Sequence, residues 1–200
     1  MSNKVTHDIF GPGSNTEARI FTDYQKLLDK IQSCRKLNLK IVLTSGGFDL
    51  FHVGHSRYLE IAKSHGDILI VGVDSDQKIK KRKGPHRPIV NEAERMEILC
   101  HSRYVDLVFL KKADQKKWQL VKKIQPDILI TTEREYKKKD LDGLKRYCGK
   151  IVLLKSQATT STTAKIRSIL LETNNKIKDR LQSAVKDVCR FLDDLTKGGV

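Results

Sequence analysis

Aromatic residues are scarce in this chain, at 6% of 200 residues. Single-strand nucleic-acid binders stack bases on aromatics, and no reader motif for DNA or RNA appears either. Cysteine is sparse too: Cys34, Cys100, Cys148 and Cys189 stand far apart, with no CxxC pair and no Cys/His cluster at metal-ligand spacing. That excludes a structural zinc module, and the thiols are read as reduced. No apolar run nears the roughly 20 residues of a membrane span. Met1 to Ser14 lacks the apolar stretch of a secretory leader, so the expected location is the cytoplasm. Internal repeats are absent.

What is abundant is positive charge. Lys and Arg number 39 against 24 Asp and Glu, a net charge of +15. Such a surplus favours anionic partners: a nucleic acid, or a nucleoside triphosphate with a sugar phosphate. Much of it sits in runs such as Lys80-Lys81-Arg82-Lys83 and Lys137-Lys138-Lys139. Most of these lysines read as solvated surface. At 38% hydrophobic residues, a chain of 200 supports one substantial core.

Residues 1–18 carry Gly11-Pro12-Gly13-Ser14-Asn15 and read as a mobile arm. Residues 19–171 read as one domain. A helix is expected over Phe21–Leu37, capped by Thr22. Apolar runs then alternate with helical patterns. Strands are expected at Ile41–Leu43, Asp67–Val73, Val105–Leu110, Asp127–Ile130 and Ile151–Leu154. Helices are expected near His55–Ser64, Asn91–His101, Asp114–Ile124 and Asp140–Tyr147. Strands apolar on both faces and separated by helices predict an α/β fold: a Rossmann-like parallel sheet covered by helices on both faces. After Ser161 a helical pattern runs almost to the end, with Asn174-Asn175 as the expected break. Residues 172–200 therefore read as a C-terminal helical extension. It either packs back on the domain or joins a second copy as a homodimer.

The segment with the most chemistry is Thr44-Ser45-Gly46-Gly47-Phe48-Asp49-Leu50-Phe51-His52-Val53-Gly54-His55. It follows the first buried strand and opens a helix, the place where open α/β sheets bind ligands. Gly46 and Gly47 leave room for phosphate oxygens beside the main chain. Gly54 lets the helix start sit close to a nucleotide. His52 and His55 are three apart, so both rings can face one side of a first turn. Imidazoles there can donate to a phosphoryl group as its charge redistributes. No Ser/His/Asp or Cys/His set offers a nucleophile, so in-line phosphoryl transfer is the expected reaction class.

Two further segments join it. Ser161-Thr162-Thr163 puts hydroxyls at the start of the long helix, a cap that leaves backbone N–H groups for an anion. Lys83-Gly84-Pro85-His86-Arg87-Pro88 is a Gly/Pro loop whose Lys83 and Arg87 suit a second phosphate. Glu94-Arg95 follows.

Together these segments resemble the cytidylyltransferase-like nucleotidyltransferases. GGFDLFHVGH is similar to their GxFDxxHxGH signature, and Ser161–Ile166 is similar to their STTxxI motif. KGPHRP with Arg95 resembles the KGxxRPxxxxxxR stretch of bacterial sugar-phosphate adenylyltransferases. Within the family the chain looks most like the enzymes that activate D-glycero-D-manno-heptose 1-phosphate. The resemblance implies transfer of AMP from ATP to a sugar phosphate with release of pyrophosphate. It implies Mg²⁺ held mainly by the triphosphate, with no dedicated protein metal site. It places Ser45, Gly46, Gly47, Phe48, Gly54, Asp74, Ser161, Thr162 and Thr163 around the nucleotide. Lys83, Arg87 and Arg95 fall on the acceptor phosphate or the β- and γ-phosphates, and Asp49 orients the loop or a water.

One segment departs from the pattern. Thr131-Thr132-Glu133-Arg134-Glu135-Tyr136 stands where the heptose subgroup carries a KGGDY-like loop. Cytidylyl transfer from CTP to a polyol or amino-alcohol phosphate therefore stays open. So does a nucleic-acid-binding protein on an inactive fold, which the net charge alone suggests.

Overall fold

A computed structural model describes residues 16–132, 138–155, 157 and 162–197, without the side chains of 138, 139, 162–165, 167, 191 and 193–197. The chain divides into two compact units, Met1–Ala158 and Thr159–Val200.

The first unit is built on six parallel strands. In chain order these are β1 (Ile20–Phe21), β2 (Ile41–Gly46), β3 (Ile68–Asp74), β4 (Leu107–Lys111), β5 (Ile128–Thr132) and β6 (Lys150–Leu154). They lie in the order β1-β4-β3-β2-β5-β6. The helices are α1 (Thr16–Arg19), α2 (Tyr24–Lys36), α3 (Val53–Lys63), α4 (Asp76–Lys83), α5 (Glu92–His101), α6 (Gln119–Ile124) and α7 (Lys138–Leu144), followed by a 3₁₀ turn at Lys145–Tyr147. The expected parallel sheet with helices on both faces is what forms.

Strand alternation sorts the core into two layers. Ile41, Leu43, Ile68, Ile70, Leu107 and Phe109 face α2 and α6, where they meet Leu27, Ile31, Val121 and Ile124. Val42, Leu69, Val71, Val73 and Val108 face the other way and meet Leu59, Ala62, Met96 and Leu99 of α3 and α5. Both faces are dry, which is why these strands read as unbroken apolar runs.

Aspartates tie down the amino-terminal ends of the strands. Asp127 Oδ2 accepts from Ile41 N at 2.7 Å, and Asp106 Oδ2 from Leu69 N at 2.6 Å. The carboxyl-terminal ends are left to the loops. Sheet order reverses at β2, whose neighbours are β3 and β5. The opening between the carboxyl ends of β2 and β5 is the switch point of this sheet.

Several expectations change. Ile20–Phe21 pairs with β4 as an edge strand instead of starting a helix, and Asp23 rather than Thr22 caps α2 by accepting from Lys26 N at 3.1 Å. Residues 16–18, the end of the expected arm, form a helical turn with Arg19, the first residue of the expected domain, whose buried side chain donates to the carbonyls of Val105 and Asp106. The run Lys80–Lys83 is the last turn of α4, whose Ser75 cap accepts from Lys78 N at 3.2 Å. Only Gln119–Ile124 of the expected helix from Asp114 is helical, because Trp118 turns left-handed at φ 62° just before it.

Among the described residues the second unit is one helix, α8 (Thr162–Lys197). It passes through Asn174-Asn175 without a break. Two asparagines cost a long helix only about 1 kcal/mol in propensity, which the flanking turns absorb.

Candidate active site

The loop 47–52 joins β2 to α3 at the switch point. Its strain lies in two non-glycine residues, Phe48 at φ 50° and Leu50 at φ 49°. Left-handed non-glycine residues each cost on the order of 1–3 kcal/mol and persist where surrounding contacts hold them. Here the contacts are identifiable. Phe48 is buried, and its ring lies against Gly46, where an added Cβ would come within 3.2 Å of Phe48 Cε2. At Gly47 an added Cβ would come within 3.3 Å of Ile79 Cδ1. Neither glycine has a positive φ. The expected space for phosphate oxygens is thus also the space that seats Phe48 and Ile79.

His52 caps α3. Its Nδ1 accepts from Gly54 N at 3.1 Å. An accepting Nδ1 carries no proton, so the neutral ring carries its proton on Nε2 and can donate from there. The His55 ring stacks on His52 with centroids 4.0 Å apart and planes at 25°. Phe48 meets His55 edge-on at 5.4 Å and Phe51 lies 5.5 Å away, so aromatic walls fix the second imidazole. Thr44 Oγ1 and Tyr58 OH, 2.7 Å apart, tie β2 to α3 behind them.

Asp49 is 5% exposed and holds the loop that follows Lys83, the last residue of α4, and carries Arg87. Its carboxylate accepts from Ile89 N and Val90 N, at 3.1 Å each to Oδ1, and pairs with Arg87 Nη1 at 3.1 Å. The Asp49 carboxylate thus holds the segment Arg87–Val90 against the histidine loop. Arg95, expected at a phosphate, is 1% exposed. Its guanidinium donates to the carbonyls of Gly47, Asp74 and Val90 and to Asp76 Oδ1 at 2.7 Å. Arg95 is therefore an internal pin joining the histidine loop to the end of β3 and to α4. A buried guanidinium so engaged has little left to offer a ligand.

A cavity of about 540 Å³ opens over the carboxyl ends of β2, β3 and β4, on the α6 side. Ser45 and Gly46 form its edge toward the histidine loop. Its walls are Lys78, Arg82, Lys111, Lys117, Trp118 and Asp140, and Asp74 lies at its base. Gly72 of β3 lies under three of the lining side chains, Leu120, Lys111 and Ser45. A Cβ there would stand 2.5 Å from Leu120 Cδ2 and 2.8 Å from Lys111 Cδ.

Asp74 is 2% exposed and faces three cations: Lys111 at 3.1 Å, Arg82 at 3.0 Å and Lys78 at 3.7 Å. Burial alone would raise its carboxyl. Lys111, Arg82 and Lys78 outweigh that and hold it below the usual carboxylate range. Burial, and then the neighbouring Lys111, pull Lys78 below the usual lysine range. One carboxylate among three cations leaves a surplus of positive charge at the base of the cavity. Asp74, expected at the nucleotide, sits at the base of this cavity, which Ser45 and Gly46 also line. Lys78, Arg82, Lys111 and Trp118 escaped the sequence reading. Three of them belong to stretches indistinguishable from surface lysine runs, and Trp118 stood in an expected helix.

Ser161 and residues 133–136 lie outside the described residues, and Thr162 and Thr163 open α8 with side chains outside the description. Among the described residues, no group of three or more His, Cys, Asp and Glu is placed to hold a metal ion. Among them also, no helix is long and apolar enough to cross a membrane.

A parallel sheet with a stacked histidine pair at its switch point, beside a cationic cavity, is the frame of an open α/β protein that binds at the carboxyl ends of its strands. The chain belongs to the cytidylyltransferase-like family, whose model matches residues 43–174. It is 38% identical over 156 residues to the "Bifunctional protein HldE" of Aliarcobacter butzleri, covering 78% of this chain and 32% of that protein. The matched region is thus about a third of such relatives' length. The crystal structure of a lipopolysaccharide core biosynthesis protein from Thermoplasma volcanium superimposes with a TM-score of 0.53 at 26% identity, covering 59% of this chain and 98% of the other. The pantoate-beta-alanine ligase of Francisella tularensis shares the fold, with a TM-score of 0.54 at 16% identity over 68% of this chain and 66% of that one.

Proposed function

We propose that this chain transfers a nucleotide, with AMP from ATP as the best reading, to a sugar phosphate such as heptose 1-phosphate. The acceptor's phosphate oxygen attacks the α-phosphorus, a new P–O bond forms there, and the bond to the β-phosphate oxygen breaks as pyrophosphate leaves. The observation that carries this is the His52–His55 stack at the switch point. His52, with its proton on Nε2, and His55 donate to the α-phosphoryl group and the leaving oxygen as negative charge builds there. The backbone at Ser45–Phe48 and Gly54 lies along the phosphates.

The cavity over β3 and β4 suits the acceptor. Lys111, Lys78 and Arg82 match a phosphate, Asp74 accepts from sugar hydroxyls, and the Trp118 ring offers a flat apolar face. Lys83 at the end of α4 and Arg87 on the loop held by Asp49 face the β- and γ-phosphates in this reading. By the family resemblance alone, Ser161, Thr162 and Thr163 are assigned to the triphosphate. Mg²⁺ fits here as an ion carried by the triphosphate and water, because Asp49 and Asp74 are already engaged by N–H groups and cations. The ion would offset the charge of the β- and γ-phosphates. The work is expected in the cytoplasm, and α8 is read as a contact to a second copy of the chain.

Cytidylyl transfer to a polyol phosphate is the second reading, because the stretch after β5 departs from the heptose subgroup. The test is mass spectrometry of the product from heptose 1-phosphate with ATP or CTP. ADP-heptose supports the first reading. A CDP adduct formed with a polyol phosphate replaces it with the second.

A further inference from the structure

We propose that α8 pairs antiparallel with α8 of a second copy, along a seam centred between Leu181 and Ala184. The inference deepens the reading of α8 as a contact helix and is independent of the transferase reading. From Leu170 onward the helix repeats at alternating steps of four and three residues: Leu170, Asn174, Ile177, Leu181, Ala184 and Val188. In sequence the same frame continues through Phe191 and Leu195. A period of 3.5 is that of one helix facing another along its length. The seam is uncovered: Leu170, Ile177, Leu181 and Val188 are 58%, 53%, 61% and 57% exposed.

Side-chain size and charge select the partner and its direction. In a parallel pair every residue of the seam meets itself, so Ala184 faces Ala184 and leaves a gap. Arg180 and Asp187 flank the seam, and in that arrangement they would lie beside Val185 and Leu192 of the second copy. In an antiparallel pair Leu181 meets the second copy's Ala184, large against small, and Ile177 meets its Val188. Arg180 then lies beside the second copy's Asp187, and symmetry makes that contact twice. Outside the seam, Leu171 lies beside the second copy's Leu192. Within one chain Asp187 has a 4.0 Å contact to Arg190, both strongly exposed, which leaves it available for this pairing. A helix whose flanking charges and core sizes complement its own reverse is matched to itself.

The test is sedimentation of the full chain over a range of concentrations, comparing Arg180→Asp, Asp187→Arg and the double swap, with helicity followed by circular dichroism. Each single swap should raise the dimer dissociation constant roughly tenfold, since two attractive contacts become repulsive. The double swap, which restores opposite charges, should recover most of the loss. Single swaps without effect, or a double swap no better than the singles, would overturn the antiparallel pairing. A wild-type chain that stays monomeric and instead binds vesicles of anionic phosphatidylglycerol would overturn self-association altogether. None of these readouts requires turnover, so the pairing and the transferase reading fail separately.

Discussion

The His52 and His55 rings stack with centroids 4.0 Å apart, and His52 Nδ1 caps the helix that carries both. His52 therefore caps α3 and, in the proposed reaction, also donates to the transferring phosphate, two roles that substitutions can separate. His55→Ala should lower kcat by about two to three decades, the scale of deleting one transition-state donor, with little change in thermal unfolding. His52→Ala should lose activity and also about 0.5–2 kcal/mol of stability through the lost cap. His52→Asn keeps a capping oxygen, so it should recover the stability without the activity. Steady-state rates beside thermal melts distinguish the three. A His55→Ala protein that fails to fold would make that ring a core residue instead.

Arg95 should behave as structure. Removing a buried, fully engaged guanidinium leaves the Gly47, Asp74 and Val90 carbonyls and the Asp76 carboxylate short of a donor. Arg95→Ala should cost about 3–5 kcal/mol, read by denaturant unfolding. A stable Arg95→Ala protein with only a raised nucleotide KM would return Arg95 to the phosphate site.

Lys111 should act on the acceptor. Lys111→Met keeps most of the stem packed over Gly72 and removes one charge-assisted contact. The acceptor KM should rise roughly tenfold or more, while nucleotide binding by calorimetry stays near the wild-type value. Equal losses for both substrates would place the acceptor elsewhere.

Asp74 sets a pH dependence. Its carboxyl is held below the usual range in the folded protein, so its contribution to stability is fully present above that range. It is lost as pH falls through the lower folded value. Asp74→Asn should therefore be less stable than wild type at neutral pH, and the gap should narrow on acidification below about pH 4. Urea unfolding at several pH values checks both the offset and its direction. A gap that widens in acid would reverse the sign assigned to Asp74.

The histidine loop was legible because its chemistry is contiguous: strand, glycines, aspartate and two histidines fall within twelve residues of each other, Thr44 to His55. The parallel sheet was legible for a similar reason, since doubly buried strands are continuous apolar runs. Arg95 was not, because its acceptors come from Gly47, Asp74, Asp76 and Val90, in separate segments that only the fold brings together. The cationic cavity was hidden in the same way. Lys111 ends a strand and Lys78 and Arg82 lie on α4, yet in sequence each is one more lysine or arginine among 39. Trp118 was hidden by its left-handed turn, which no periodicity signals.

Pyrophosphate release tests the central claim most directly. ATP and CTP are crossed with heptose 1-phosphate, glycerol 3-phosphate and a panel of other sugar and alcohol phosphates, with Mg²⁺, for wild type and His55→Ala. The account predicts release with ATP and a sugar phosphate, at least a hundredfold weaker in His55→Ala by the roughly two-decade effect of one lost donor. No release with any pair, beside tight RNA binding that falls steeply with salt, would contradict it and leave a nucleic-acid-binding protein on an inactive fold.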